Sequence, residues 1–231
     1  MTSRALCSSL LIAILLLLTF ACGSGSSSSS NAQVRLLDAS PEQQNLNLLL
    51  DNNTIETGIV SQSASAYSPQ PAGNHTLQVE ANNTTTALAT ESVSLNSGAY
   101  YTVLAVEPSF ASTSLNMTLL TDDNSAPASG NFKLRIVNAS PDFGNLDAYV
   151  TAPGAGLTNA TPSVTSLGFQ AASPYQSLTA GSYEVYFTIA GQQVIQVDSG
   201  QLTFSAGQIR TLVLLDNFGS GFTSAMLADL N

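Results

Sequence analysis

The chain has 231 residues, of which 44% are hydrophobic and only 9% charged, and its formal net charge is −10. Past residue 21, four basic side chains (Arg35, Lys133, Arg135 and Arg210) stand against fifteen acidic ones, a balance near −11. That balance excludes a nucleic-acid partner, which requires a basic footprint, and opposes attraction to anionic lipid headgroups.

The N-terminus has the parts of an export signal. Arg4 supplies the positive start, and Leu10 to Phe20 is an apolar run interrupted only by Thr19. The run is well short of the ~20 residues of a membrane-spanning helix. It ends Leu18-Thr19-Phe20-Ala21-Cys22-Gly23. A small residue before a cysteine, with Gly and Ser after it, resembles the lipobox of bacterial lipoproteins. The resemblance implies lipidation of Cys22. The alternative is an ordinary secretory signal cleaved after Ala21. Residues 24–30 read Ser-Gly-Ser-Ser-Ser-Ser-Ser, a flexible tether with a mean reach of only ~15–20 Å. The only other cysteine, Cys7, lies inside the leader, so the folded part has no pair for a disulfide and must stand on hydrophobic cores.

The stretch from Val34-Arg35-Leu36-Leu37-Asp38-Ala39-Ser40-Pro41 to Asn45-Leu46-Asn47 recurs one hundred positions on. There it reads Leu134-Arg135-Ile136-Val137-Asn138-Ala139-Ser140-Pro141, with Asn145-Leu146-Asp147 following. That period suits a small β-sandwich and is too long for a solenoid repeat. Strand patterns continue in the same order in both copies. Leu46–Leu50 matches Leu146–Val150. His75–Glu80, after Pro71-Ala72-Gly73, matches Tyr183–Thr188 after Thr179-Ala180-Gly181. Glu91–Leu95 and Tyr100–Val106 match Gln201–Phe204 and Ile209–Leu215. Leu115–Thr121 and Phe222–Ala228 close the copies. No helical periodicity follows the leader. The expected fold is all-β: two tandem immunoglobulin-like antiparallel β-sandwich domains. The chain divides into a leader over 1–21, a lipidated cysteine with its tether over 22–32, a first module over 33–124, a linker over 125–132 and a second module over 133–231. The linker predicts neighbours that rock against each other.

Four elements together resemble bacterial domain-of-unknown-function family 4397. They are the Arg-x-x-Asn/Asp-Ala-Ser-Pro opening, the Leu-Asp-x-Tyr-Val strand at 146–150, the Ala-Gly-x-Tyr-x-Val hairpin at 180–185, and the Ala-Gly-x-x-x-Thr-Leu-Val hairpin at 206–213. The first copy departs from the pattern at Glu42, Asn47 and His75. The resemblance implies a sandwich and an envelope or secreted protein, often a lipoprotein with tandem copies. It implies no activity.

Catalytic patterns are sparse. His75 is the single histidine, and its counterpart is Tyr183, so a packing or edge position is the plainer reading. No Gly-x-Ser-x-Gly elbow, phosphate loop or dinucleotide fingerprint occurs. Asp142 and Asp147, matched by Glu42 and Asn47, make an implausible acid pair, because the first copy lacks the second acid. Asp122, Asp123 and Asn124 are weak metal candidates. Ca²⁺ takes six to eight oxygens, and a solvated linker explains the run as well. Arg35 and Arg135 lie inside apolar strands, so their stems are expected to pack and their heads to meet carboxylates. Asp38 and Asn138 are expected to accept a backbone N–H two residues on and so end the first strand. Tyr100, Tyr101, Tyr149, Tyr175, Tyr183 and Tyr186 would suit sugar stacking only if exposed.

The expected function is a non-enzymatic envelope lipoprotein, without catalytic or cofactor residues. Cys22 anchors it to the membrane, in a two-membrane cell the outer one, and its modules serve structural, adhesive or partner-binding roles. The partner class is an envelope protein or a glycan. The alternatives are a carbohydrate- or polymer-binding accessory protein and, below it, a hydrolase with an unrecognised acid pair.

Overall fold

The computed structural model describes residues 31–43, 45–109, 112–217 and 219–230. Cys22 and the Ser-rich tether lie outside the described residues. The first half contains β1 (Ala32–Asp38), β2 (Leu46–Leu50), β3 (Asn53–Ile59), β4 (Ser63–Ala64), β5 (Ser68–Gln70), β6 (Gly73–Ala81), β7 (Ala87–Leu95), β8 (Tyr100–Val106) and β9 (Asn116–Asp122). The second half contains β10 (Asn131–Ala139), β11 (Leu146–Thr151), β12 (Val164–Leu167), β13 (Gln176–Thr179), β14 (Gly181–Ile189), β15 (Ile195–Phe204), β16 (Ile209–Asp216) and β17 (Phe222–Leu230).

Each half is a sandwich of two sheets. In the first, the order β4-β1-β8-β9, with β5 also on β1, faces β3-β2-β6-β7. In the second, β13-β10-β16-β17 faces β12-β11-β14-β15. The pairings are antiparallel except β1 with β8 and β10 with β16. The sequence pattern misses β3, β4, β5, β12 and β13. These are edge strands, short or polar, whose alternation is weak because one side meets solvent. β10 opens at Asn131, two residues before the expected module start, because Asn131 and Phe132 already pair with Thr179 and Leu178.

Alternation places Val34 and Leu36 of β1 and Tyr101 and Val103 of β8 against Leu48 and Leu77 of the opposing sheet. The second sandwich repeats this with Leu134, Ile136 and Leu212 against Ala148, Val185 and Phe187. Burying such side chains contributes roughly 1.5–3 kcal/mol each, so each sandwich has its own core.

A third core joins the two. Leu37, Leu104 and Leu120 of the first sandwich pack against Val137, Val213 and Leu215 of the second. They occupy the outer faces of β1, β8, β9, β10 and β16, and the central strands β1, β8, β10 and β16 are buried on both sides. The expectation of rocking modules is corrected here: an apolar interface between the sheets, and not the linker, sets their arrangement.

Candidate functional site

At the interface each sandwich offers the other the same group. Arg35 donates from Nη2 to Asp229 Oδ1, and its Nη1 lies 2.8 Å from the carbonyl of Ala228. Arg135 Nη2 donates to Asp122 Oδ1 at 2.7 Å, and its Nη1 to the carbonyl of Thr121 at 3.2 Å. The Nε of Arg35 meets Thr102 Oγ1 and that of Arg135 meets Thr211 Oγ1. Thr102 and Tyr67 both donate to Asp122 Oδ2 at 2.6 Å. Thr211 and Tyr175 donate to Asp229 Oδ2 at 2.6 and 2.7 Å. The guanidinium carbons sit 4.5 Å over the Tyr67 ring and 4.6 Å over the Tyr175 ring. Burial, and then the neighbouring carboxylates Asp122 and Asp229, push the Tyr67 and Tyr175 hydroxyls well above the usual phenol range. Both tyrosines therefore stay neutral donors. The interface is self-complementary, each side giving one arginine and one aspartate.

The expected arginine–carboxylate contacts are borne out, but across the modules. Sequence reasoning missed Tyr67. Its signal was present, since Ala64-Ser65-Ala66-Tyr67 recurs as Ala172-Ser173-Pro174-Tyr175. In both copies the Ser hydroxyl takes a β1 or β10 amide at 3.0 Å.

The three junction residues do not converge on one place. Asp122 faces the interface. Asp123 Oδ2 takes Lys133 Nζ at 2.7 Å and its Oδ1 takes the amide and hydroxyl of Ser125. The bonds from Lys133 and Ser125 hold the Asp123 carboxyl down at about 2. The Asn124 amide is buried without a partner. Asp122, Asp123 and Asn124 thus form no shared oxygen set, and no metal-binding group of three acids, histidines or cysteines occurs among the described residues.

His75 is held by acceptors at both ring nitrogens, Nδ1 by Asp51 Oδ2 at 2.7 Å and Nε2 by the Pro71 carbonyl at 3.0 Å. Tyr183 does the same work in the second copy, donating to the Thr179 carbonyl at 2.8 Å. Asp147 accepts the amides of Ser166 at 2.7 Å and Gly191 at 2.8 Å. Asn47 accepts the Gly58 amide at 2.8 Å. Both brace a bulge on the edge strand, where Ser166 and Gly58 have φ of 49° and 67°. Asp147 is thereby a brace, and Asp142 is an exposed loop acid.

The repeated Asp/Asn-Ala-Ser-Pro element ends β1 and β10 as expected. Asp38 Oδ1 accepts the Ser40 amide at 2.9 Å and Asn138 Oδ1 the Ser140 amide at 3.2 Å. Asn138 does more, since Nδ2 donates to the carbonyls of Gly144 at 2.8 Å and Leu167 at 3.0 Å. Asn138→Ala removes three side-chain bonds, one buried and two part-buried, and takes a donor from each of the Gly144 and Leu167 carbonyls. It is expected to cost about 2–3 kcal/mol, read as a lower urea midpoint at unchanged slope.

These contacts define two poles. The chain enters at Asn31, whose carbonyl takes the Gly98 amide, and the linker runs from Asp122 to Asn131 at that same end. β1, β8, β10 and β16 all end at the opposite pole, where Gln62 Nε2 reaches the Asp216 carbonyl at 3.1 Å. The exposed large hydrophobics are Val60, Ile189, Val194 and Ile195. They lie at this loop pole, beside the starts of β2 and β11. No tyrosine or phenylalanine among the described residues is exposed.

An all-β, two-sandwich protein whose conserved-looking repeats serve structure is the class defined by this geometry. The family described as "Domain of unknown function (DUF4397)" matches residues 32–149, just over half of the chain, and the chain belongs to it. The matched span takes in the first sandwich and the opening strands of the second. No match is found among curated proteins. Among solved structures, the chain is similar to the Bacillus anthracis TIE protein, at 10% identity over 85% of this chain and 34% of that one, with a TM-score of 0.27. It thus spans about a third of that protein. It is similar to the family 26 carbohydrate-binding module of Eubacterium rectale Amy13K, crystallised with maltoheptaose, at 10% identity over 87% and 98% of the chains and a TM-score of 0.28. It is also similar to an α-glucan-binding streptococcal virulence factor, at 9% identity over 84% and 96% and a TM-score of 0.27. Likenesses at these scores attach no ligand to this chain.

Proposed function

We propose that this protein is a non-catalytic envelope lipoprotein, anchored through Cys22, that holds two sandwiches as one block and turns its loop pole away from the membrane to meet a partner. The second sandwich is read as a second copy of the family's unit. The observation that carries the reading is the polarity of the block. Asn31 and the linker share one end, while the four exposed large hydrophobics among the described residues lie at the other. A short tether sets the first pole against the bilayer and leaves the second to face outward. Gly23 and Ser24 after the cysteine fit the outer membrane of a two-membrane cell. An envelope protein suits the loop pole better than a glycan, because the described tyrosines and phenylalanines are buried or half-buried and offer no stacking platform.

No helix among the described residues is long and apolar enough to cross a membrane. On this reading the lipid is the anchor, so Cys22→Ser is expected to move the protein from the membrane pellet to the soluble fraction. Unchanged partition of Cys22→Ser would refute the lipid anchor.

A further inference from the structure

The loop pole of the first sandwich contains a feature that the second lacks. Asp38 ends β1, and Glu107 follows β8 beside it. They are 0% and 1% exposed. The matching places in the second sandwich hold Asn138 and Asp216. There Asn138 donates two bonds from its amide nitrogen, and Asp216 takes the Ser140 hydroxyl. In the first sandwich Ser40 gives both its amide and its hydroxyl to Asp38 Oδ1. Asp38 Oδ2 stands where the donating amide stands in the other copy, yet a carboxylate has nothing to donate. It has no partner, and neither does the buried Glu107 Oε2.

Among the described residues no positive charge compensates the pair. The 40–43 loop brings Glu42, whose amide lies 3.3 Å from Glu107 Oε1 and whose carboxylate adds charge of the same sign. β4 places Ser63 opposite Asp38. From the second sandwich, the main-chain carbonyl of Asp216 takes the Gln62 side-chain amide. Arg35 and Arg135 are committed to the interface, Lys133 to Asp123, and Arg210 reaches the Ile209 carbonyl near the tether pole. Two ionised carboxylates here would be desolvated and mutually repelling. One proton removes the repulsion and gives Asp38 a hydrogen to donate, as Asn138 does.

We propose that Asp38 and Glu107 form a proton-binding site at the loop pole of the first sandwich, one that holds the 40–43 loop closed when occupied and loosens it when the proton leaves. Burial raises the Asp38 carboxyl from 3.8 to about 7, against the two lowering bonds from Ser40. Burial likewise raises Glu107. A carboxyl with a raised folded value contributes its full stability below about 4. That stability falls away as pH rises through about 7. The loop should therefore be tight at pH 5 and loose at pH 8.

The test compares the mature chain with Asp38→Asn, the residue the second copy uses, and with Glu107→Gln as a second variant. Hydrogen exchange of the 40–43 segment, corrected for the intrinsic effect of pH, is measured at pH 5 and pH 8 alongside melting temperature. The parent should lose protection at 40–43 by roughly tenfold or more between the two conditions. Asp38→Asn should melt several degrees above the parent at pH 8 and keep its protection. Equal protection of the parent at both pH values overturns the proposal. It is also overturned if neither variant is more stable than the parent at pH 8.

Discussion

Asp122→Ala is expected to destabilise the protein by about 3–5 kcal/mol, the usual result of stranding one partner of a buried ion pair. Asp122 and Arg135 side chains are 0% and 2% exposed. Removing the carboxylate leaves the Arg135 guanidinium inside the interface with the Thr121 carbonyl, the Thr211 hydroxyl and the Tyr175 ring, but no opposite charge, to meet it. It also takes away the acceptor to which the Tyr67 and Thr102 hydroxyls donate. Asp229→Ala should behave alike, because Arg35, Tyr175 and Thr211 depend on Asp229 in the same way. The double variant Arg135→Met with Asp122→Leu should be less damaging than Asp122→Ala alone, since no charge then stays buried. Urea unfolding of the four proteins reads this order directly. A surface pair would cost ~0–1 kcal/mol and weaken with salt. Losses that small, or losses abolished by half-molar salt, would show that the network is exposed in solution.

Separating the sandwiches should produce two folded fragments that find each other again. Residues 31–124 and 131–231 each keep a complete sheet pair and an internal core. Each also bares an apolar face with a buried-type arginine, Leu104 and Arg35 on one side, Val213 and Arg135 on the other. In the intact chain the linker supplies an effective concentration of roughly millimolar, which the fragments lose. Mixed at roughly tens of micromolar, they should still co-elute on gel filtration and melt above either one alone. Because each face carries both an arginine and an aspartate, either fragment alone should also self-associate. Two monodisperse monomers that ignore each other would mean that the third core contributes little.

Much of the fold was legible from residues one at a time. The hundred-residue repeat, the Gly-bearing turns before Tyr100 and Ile209, and the alternation in His75–Glu80 and Tyr183–Thr188 are local patterns, and local patterns place strands. Asp38 and Asn138 were legible for the same reason, because their acceptor bonds reach only two residues along the chain. The edge strands were not, since a strand such as β4 exists only by pairing with β1.

The sequence by itself determined that there are two sandwiches, where each begins to within two residues, and that neither contains a cysteine. Its continuous apolar runs, Val103–Val106 and Leu212–Leu215, also carried the mark of strands buried on both faces, though not what covers the second face. Only the tertiary structure decided that the cover is the other copy. Arg35 meets Asp229, and Arg135 meets Asp122, at |i−j| of 194 and 13. No period or spacing announces such a contact, because it depends on how two finished sheets lie against each other. The same holds for the loop pole. Asp38 and Glu107 are 69 positions apart in the chain, and the parallel pairing of β1 with β8 is what carries two acids to one buried place.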